Sequence, residues 1–387
     1  MKISLKRTPE QIELIKAMAS KNRDVAYEAQ VALAAFLGPV LAEVINNAPV
    51  LSNLFSPLSF NSEDNPSIPL DLYYDITDED YITIYSQQVA GGLPTNQVLP
   101  TTSEMKITTY RLDSALSFDK RYAAKSRMDV VSKTFTRMAQ EILAKQERTS
   151  GNLILSSLAA AVTNNKRHVQ RANAVGRFLL QDMNELLTLS RRVFTSFTGG
   201  TMPTGQAGMG VTDLIISPEI EEELRAMAYN PINTKASPAL AAGQTNIAAD
   251  GITAPDSVRA GLFNGGGISS FYGVNLMVFN EFGLTRKFNT IFDTVATTTS
   301  FATANGTTLN TAFDGDKDEL ILGINRNRES LIRAIAVDSE TGSEFSLVAD
   351  DQYSIRQNKI GYFGSLEEGR MVLDNRALFG KIVRWTA

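Results

Sequence analysis

The chain has 387 residues, no cysteine, one histidine and a formal net charge of −5. The lack of cysteine excludes disulfides and thiolate metal sites, and one histidine leaves little basis for an imidazole metal centre or a Ser-His-Asp triad. The mild net negative charge gives no support for a dedicated nucleic-acid-binding surface, which is usually basic. The length exceeds what one hydrophobic core usually organises, so we expect at least two domains.

The first predicted element is a long helix. Thr8 is a typical capping residue, and the proline that follows it suits the first helical turn. We expect the helix to run to about residue 37, where the Gly-Pro pair at 38–39 kinks or ends it. A second piece should reach about residue 47. The apolar stretch at 31–45 is too short to span a bilayer, so it is predicted to be a buried helix.

Residues 70–118 are predicted to form one long hairpin with a large irregular tip. The tip, at 86–105, is rich in Thr, Gln and Ser and has few large apolar side chains: Val89, Leu93, Val98, Leu99 and Met105. Burial of five such side chains gives on the order of 10 kcal/mol. Ordering twenty residues costs on the order of 30 kcal/mol. We therefore expect contacts from outside the segment to hold it.

A second long helix is predicted from Ser126 to about Val162. Its apolar positions are spaced four, three and four residues apart, and they form one stripe: Val131, Phe135, Met138 and Ile142. Gly151 interrupts the pattern, and apolar character continues after it. A helix of more than thirty residues would be roughly 50 Å long, a length typical of a structural strut.

The second half of the chain reads as a mixture of strands and helices. Residues 213–228 predict a buried strand, a Ser217 cap, a proline at the first helical position and a helix with an acidic first turn. Residues 267–282 predict a strand pair with a turn near Gly273, and 294–312 an exposed excursion. The last seventy residues are mostly strand patterns. The predicted fold class is α+β with two long protrusions.

We find no pattern that predicts catalysis or a cofactor. His168 is predicted to lie in a solvated basic segment, and Glu367 and Glu368 in an exposed turn. The aspartates at 314–318 lack the glycine and glutamate that a calcium loop needs, so a charged turn is expected. The glycine-rich loop at 199–210 lacks the Gly-Lys-Ser/Thr of a phosphate loop. The chain is predicted not to be an enzyme.

The order of these elements resembles the Hong Kong 97-type major capsid proteins of tailed bacteriophages. Residues 213–228 are similar to the strand and helix of the family's axial domain, and 271–282 to its small-residue turn into a strand. Residues 319–337 and 374–383 resemble its C-terminal strands. The resemblance covers about 65–387 and rests on element order more than on any single motif.

The resemblance implies a Hong Kong 97-like fold with an N-terminal arm, an extended hairpin loop, a long spine helix, and peripheral and axial domains. The implied boundaries are 1–64 for the N-terminal helix and arm, 65–118 for the extended loop, 119–175 for the peripheral domain with its spine helix, 176–313 for the axial domain and 314–387 for strands completing both domains. The implied function is a virion shell, made in the host cytoplasm, in which hexamers and pentamers enclose double-stranded DNA without sequence-specific binding.

Neighbouring copies of the same chain are the expected partners, with a portal, a scaffold and a cement or decoration protein as further candidates; no membrane contact is expected. The loop residues expected to contact a neighbour are Val89, Leu93, Val98 and Leu99. The family's namesake joins its subunits covalently through a loop lysine, but residues 81–105 contain no lysine. We therefore expect a shell without covalent cross-links.

Three other functions remain open from the sequence. An encapsulin-type nanocompartment shell of a bacterium shares the fold, and DNA inside the particle, rather than protein cargo, would distinguish a virion from it. A hydrolase acting through loop carboxylates would need a buried carboxylate pair, for which the sequence gives no sign. A monomeric adhesin or tail component would form no closed particles.

Overall fold

The computed structural model describes residues 8–47, 51–69, 104–163, 166–193, 210–229, 270–296, 301, 312–338, 342–350 and 357–385. The chain divides into two compact units. The first unit comprises Met1–Leu70, Thr101–Ser150 and Leu331–Met371. The second unit comprises Asp71–Pro100, Gly151–Ser330 and Val372–Ala387. The C-terminal strands contribute to both units.

The N-terminal region forms two helices, α1 (Pro9–Met18) and α2 (Arg23–Asn47), rather than one. The predicted continuous helix breaks because Asn22 caps a new one: its Oδ1 accepts from the Asp24 N–H at 3.2 Å. The helix also does not end at Pro39, which lies inside α2, and α2 reaches Asn47 as predicted. A proline in a helix interior costs about 3 kcal/mol, which the packing of the buried side chains on both sides of it can offset.

The long predicted helix is confirmed as α4 (Met128–Ala160), with 33 residues. Its predicted stripe is buried, and Val131, Phe135 and Met138 have no exposed surface. Gly151 does not interrupt the helix. A side chain at Gly151 would overlap the ring of Phe288, so glycine allows this close approach.

The first unit contains a five-stranded sheet. Its main path runs β1 (Ser56–Asn61), β12 (Leu331–Val337), β14 (Lys359–Val372) and β13 (Ser346–Asp350), and β4 (Thr109–Asp119) also pairs with β14. β1 and β12 are parallel, whereas β14 is antiparallel to both β13 and β4. The short helix α3 (Lys120–Ala124) follows β4 directly.

The structure describes the predicted hairpin only at its base and in its return part. Its described base is a short antiparallel ribbon of β2 (Ser67–Pro69) and β3 (Glu104–Lys106). β4, in the return part of the predicted hairpin, pairs with β14 over its whole length, from Asp119 opposite Lys359 to Thr109 opposite Gly369. β4 takes this partner because its inward side chains, including Phe118, pack into the first-unit core. The outgoing part at 70–103 lies outside the described residues.

Helices α1 and α2 form part of this first-unit core. Between them they contribute six large buried apolar side chains: Ile15, Met18, Leu33, Leu37, Leu41 and Ile45. These join residues of α4 and of the sheet, among them Phe135 and Tyr362, whose rings meet edge to face at 5.2 Å. The N-terminal helices are therefore integral to the subunit.

The second unit is built on a six-stranded sheet. Its order is β7 (Val169–Val175), β15 (Leu378–Arg384), β11 (Asp318–Ile324), β8 (Asp213–Ile216), β10 (Val274–Val278) and β9 (Ser270–Phe271). Helices α5 (Leu180–Arg192) and α6 (Pro218–Tyr229) contribute buried side chains to its core. A separate two-stranded ribbon joins β5 (Val162–Thr163) and β6 (Lys166–Arg167).

Two local predictions for this unit, the strand, cap and helix at 213–228 and the turn near Gly273, are confirmed. β8 is fully buried, and the Ser217 hydroxyl accepts from the Ile220 N–H at 3.1 Å, so it caps α6. The turn between β9 and β10 has positive φ at both Tyr272 and Gly273 (52° and 79°). That is the type I′ geometry that suits the twist of a hairpin.

Helix α7 (Lys287–Ala296) is absent from the sequence prediction. Its buried face consists of Phe288, Phe292 and Ala296, spaced by four residues, which is a helical signal. The predicted excursion at 294–312 begins inside this helix. Phe301 is also buried and stacks on Phe292 with ring centroids 5.9 Å apart.

Candidate assembly surfaces

The extended-loop residues predicted to contact a neighbour, Val89, Leu93, Val98 and Leu99, lie outside the described residues. The base from which the hairpin leaves is described. Ile68 and Ile107 are buried there, and the Ile107 N–H donates to the Pro66 carbonyl at 2.9 Å. Gly369 of β14 allows this approach, since a side chain there would meet Ile107 and the Thr108 backbone. The two ends of the loop are thus anchored on the first unit.

A buried ion network lies beneath this base. The Glu368 carboxylate accepts hydrogen bonds from Arg333 Nε at 2.9 Å, Arg370 Nη2 at 3.1 Å and the Tyr110 hydroxyl at 2.7 Å. Gln146 of α4 donates to the same group at 3.1 Å. The prediction that Glu368 is exposed is wrong, because β14 continues through the acidic pair and turns this side chain inward.

The charges of the network determine its protonation. Burial alone would raise the pKa of Glu368, but the charges of Arg370 and Arg333 outweigh burial and hold the pKa below its usual range. Burial and the neighbouring carboxylate raise the pKa of Tyr110, so its hydroxyl remains a donor. The network therefore stays ionised across the neutral range.

The same network connects the segment after α2 to the long helix α4. Arg370 donates from Nη1 to the hydroxyls of Ser52 and Ser150, and those two hydroxyls lie 3.0 Å apart. Glu147 of α4 accepts from the Leu51 and Ser52 N–H groups at 3.1 and 3.2 Å. The 3₁₀ turn Ser52–Leu54 is therefore held to α4 by polar contacts.

His168 is buried, so the prediction of a solvated segment is wrong. Its ring stacks on Phe379 at 5.4 Å, and Nδ1 donates to the carbonyls of Asn375 and Leu378 at 3.1 and 3.0 Å. Nε2 then accepts from the Thr163 hydroxyl at 2.9 Å. Burial lowers the pKa of His168, which fits a neutral structural imidazole rather than a base.

The aspartates at 314–318 form a turn before β11. Asp314 Oδ1 accepts from the Asp316 N–H at 3.1 Å, as the predicted charged turn requires. Asp318 is buried and binds Arg171 and Arg384 at 3.0 and 2.9 Å. Within the described part of the chain, no group of three or more His, Cys, Asp or Glu side chains could hold a metal ion.

Glu319, beside Asp318 in β11, is also buried. Trp385 Nε1 donates to it at 2.6 Å. Burial raises the pKa of Glu319 to about 7 and the Glu219 charge adds to this, against hydrogen bonds from Ser217 and Trp385 that lower it. Glu319 therefore titrates near neutral pH in the folded chain.

We expect Glu319→Gln to remove a pH dependence of stability. The pKa of Glu319 is higher in the folded chain than in the unfolded chain. The contribution of protonated Glu319 to stability is therefore complete below about pH 4.5 and is lost as the pH rises through about 7. The full effect is on the order of 3 kcal/mol. Urea denaturation at pH 5, 6.5 and 8 measures it: the difference between wild type and variant should change with pH, and a constant difference would contradict the assignment.

One face of α2 is apolar and uncovered in the subunit. The helix alternates pairs of buried and exposed residues, and the exposed pairs from 31 to 40 are all uncharged. We call these residues the α2 stripe: Val31, Ala32, Ala35, Phe36, Pro39 and Val40. Phe36 is 53% exposed and Val31 44%. Exposed acids, Glu28 and Glu43, bound the stripe at its two ends.

By length and composition, Arg23–Ile45 of α2 could also cross a membrane. The opposite face of the helix, however, carries Leu33, Leu37 and Leu41 into the first-unit core. The apolar character of α2 is thus divided between an internal face and the α2 stripe.

A basic surface lies on and after α3. The segment 120–127 has four basic residues and no acidic one, and Arg121, Lys125 and Arg127 are exposed. Tyr122, in the same segment, is 46% exposed. We call residues 120–127 the α3 patch. α3 packs against α1, which packs against α2, so this patch and the α2 stripe belong to the same unit.

The chain is similar to solved structures that are mainly phage capsids, the kind of protein that the sequence resembles. It is 11% identical to the capsid structure of cyanophage P-SCSP1u, covering 88% of this chain and 89% of that chain with a TM-score of 0.45. It is 10% identical to a structure from Microbacterium phage Oxtober96, covering 88% of this chain and 91% of that chain with a TM-score of 0.46. It is 14% identical to the SrpI encapsulin complex of Synechococcus elongatus, covering 74% of this chain and 78% of that chain with a TM-score of 0.41.

No protein-family model matches the chain, and no curated protein sequence matches it.

Proposed function

We propose that the chain is a Hong Kong 97-type major capsid protein, a structural subunit that assembles into the icosahedral head of a tailed phage. The observation that carries this proposal is the build of the subunit: a 33-residue spine helix, an anchored hairpin base and C-terminal strands that contribute to two units. A polar network ties the spine helix to the segment after α2 and to β14. In the proposed head, hexamers and pentamers of this one chain surround double-stranded DNA.

The proposed contacts between copies centre on the extended loop. A two-stranded ribbon is marginal in water by itself, and the described base of the loop is such a ribbon, with β2 paired to β3. Val89, Leu93, Val98 and Leu99 would pack on the neighbouring copy, whose surface supplies the contacts that the loop lacks. A charge at these positions would remain solvated on a free subunit but would lose its water in the shell.

Replacing both Val98 and Leu99 by Asp tests this proposal. We expect a folded subunit that forms no particles, because two carboxylates would have to be buried at each contact. Sedimentation velocity on wild type and variant measures the outcome, with Ser103→Asp as a loop control outside the apolar set. Particles of normal size from the double variant would contradict the proposed role of the loop.

The contents of the particle distinguish a virion from the encapsulin-type alternative. Nuclease-protected DNA inside particles isolated from infected cells is the expected result. Particles filled with one enzyme and free of DNA would instead indicate a bacterial compartment.

A further inference from the structure

The α2 stripe and the α3 patch are complementary in chemistry. The stripe is an apolar strip about 14 Å long, bounded by Glu28 and Glu43 and without a charged residue between them. The α3 patch offers an exposed tyrosine and exposed cations at Lys125 and Arg127, while Arg121 lies 3.9 Å from Asp119. An apolar centre with a charged rim is the usual composition of a protein interface.

A symmetric contact between two α2 stripes is disfavoured by charge. If two copies of α2 met antiparallel with Phe36 near the centre, Glu28 of each would lie beside Glu43 of the other. A parallel arrangement would place each glutamate beside its own counterpart. Like charges across an interface cost binding energy and reject a partner, so the stripe requires a partner that is basic.

An anionic partner is disfavoured for the same reason. A bilayer surface rich in anionic lipid attracts basic helices, but the rim of this stripe is acidic. The α3 patch has the required basic charge, and its Tyr122 is the type of residue that anchors interfaces.

We propose that the α2 stripe of one copy binds the α3 patch of the next copy. Phe36, near the middle of the stripe, meets Tyr122, while Glu28 and Glu43 pair with the cations at Lys125 and Arg127. Because the two surfaces differ, the contact is heterologous, the type that closes into rings when the rotation between copies allows it. This contact rests on the proposed shell function and names a second interface beside the extended loop.

A charge-swap series tests the contact. The acid-side variant carries Glu28→Lys and Glu43→Lys, and the base-side variant carries Lys125→Glu and Arg127→Glu. All four side chains are exposed, so each variant should keep the far-UV spectrum and denaturation midpoint of wild type. We expect each to raise the chain concentration needed for assembly by tenfold or more. The quadruple variant, in which the charges of the two surfaces are exchanged, should assemble at a chain concentration within about threefold of that of wild type.

Glu222→Lys, an exposed charge reversal in the second unit, is the matched control and should assemble normally. Wild-type particles together with unaffected acid-side and base-side variants would overturn this contact and leave the shell function standing. A base-side variant that forms normal particles lacking nucleic acid would assign the α3 patch to nucleic acid and also overturn it. A wild-type chain that never associates would overturn both proposals.

Discussion

Removal of residues 1–47 is expected to abolish folding of the first unit. Helices α1 and α2 bury six large apolar side chains in its core, and their loss removes on the order of 12 kcal/mol of burial. The net stability of a whole domain is about 5–15 kcal/mol. The truncated chain should therefore be insoluble or lack a cooperative unfolding transition, which expression trials and thermal denaturation with near-UV circular dichroism would show.

Removal of residues 1–7 alone is the matched control. It keeps Thr8, whose hydroxyl accepts from the Gln11 N–H at the start of α1, and all six core side chains. This shorter truncation should unfold like wild type. A chain without residues 1–47 that keeps the wild-type near-UV spectrum and a cooperative transition would show that α1 and α2 are appendages rather than core elements.

Glu368→Gln is expected to destabilise the chain by about 3–5 kcal/mol. The substitution keeps the shape of the side chain but leaves Arg333 and Arg370 buried without the anion that they share. Because the pKa of Glu368 is lowered in the folded state, its stabilisation is present at neutral pH. It is lost in wild type as the pH falls below about 4.5. Urea denaturation at pH 7 and pH 3 measures both effects.

The adjacent glutamate provides the control. Glu367 precedes Glu368 in the same strand but is only half-buried and belongs to no described ion pair of the network. Glu367→Gln should change the free energy of unfolding by no more than about 0.5 kcal/mol. Equal losses in the two variants would contradict the assignment of Glu368 as the centre of the network.

Elements with strong local signals are predictable from this sequence. The stripe of α4 and the Ser217 cap of α6 are encoded within a few residues, and both are confirmed. The break at residues 19–22 is also local, but an Asn22 cap inside an otherwise helical pattern gives a weak signal. Helix α7 has a visible period of four residues that the threonine-rich composition of the region obscures.

Features that depend on distant partners are not predictable in the same way. β4 pairs with β14, which lies some 250 positions later in the chain, and strand patterns alone do not specify a partner. Glu368 looks like a surface residue until Arg333 and Arg370 are placed beside it. The sequence shows that α2 is apolar around much of its circumference, but not which face the fold leaves uncovered.

The central claim is that copies of this chain build a closed shell. Negative-stain microscopy of the purified chain, combined with sedimentation over a hundredfold range of concentration, tests it most directly. The account predicts closed spherical particles of uniform size that contain only this chain. A chain that sediments as a monomer at every concentration and shows no particles would contradict it.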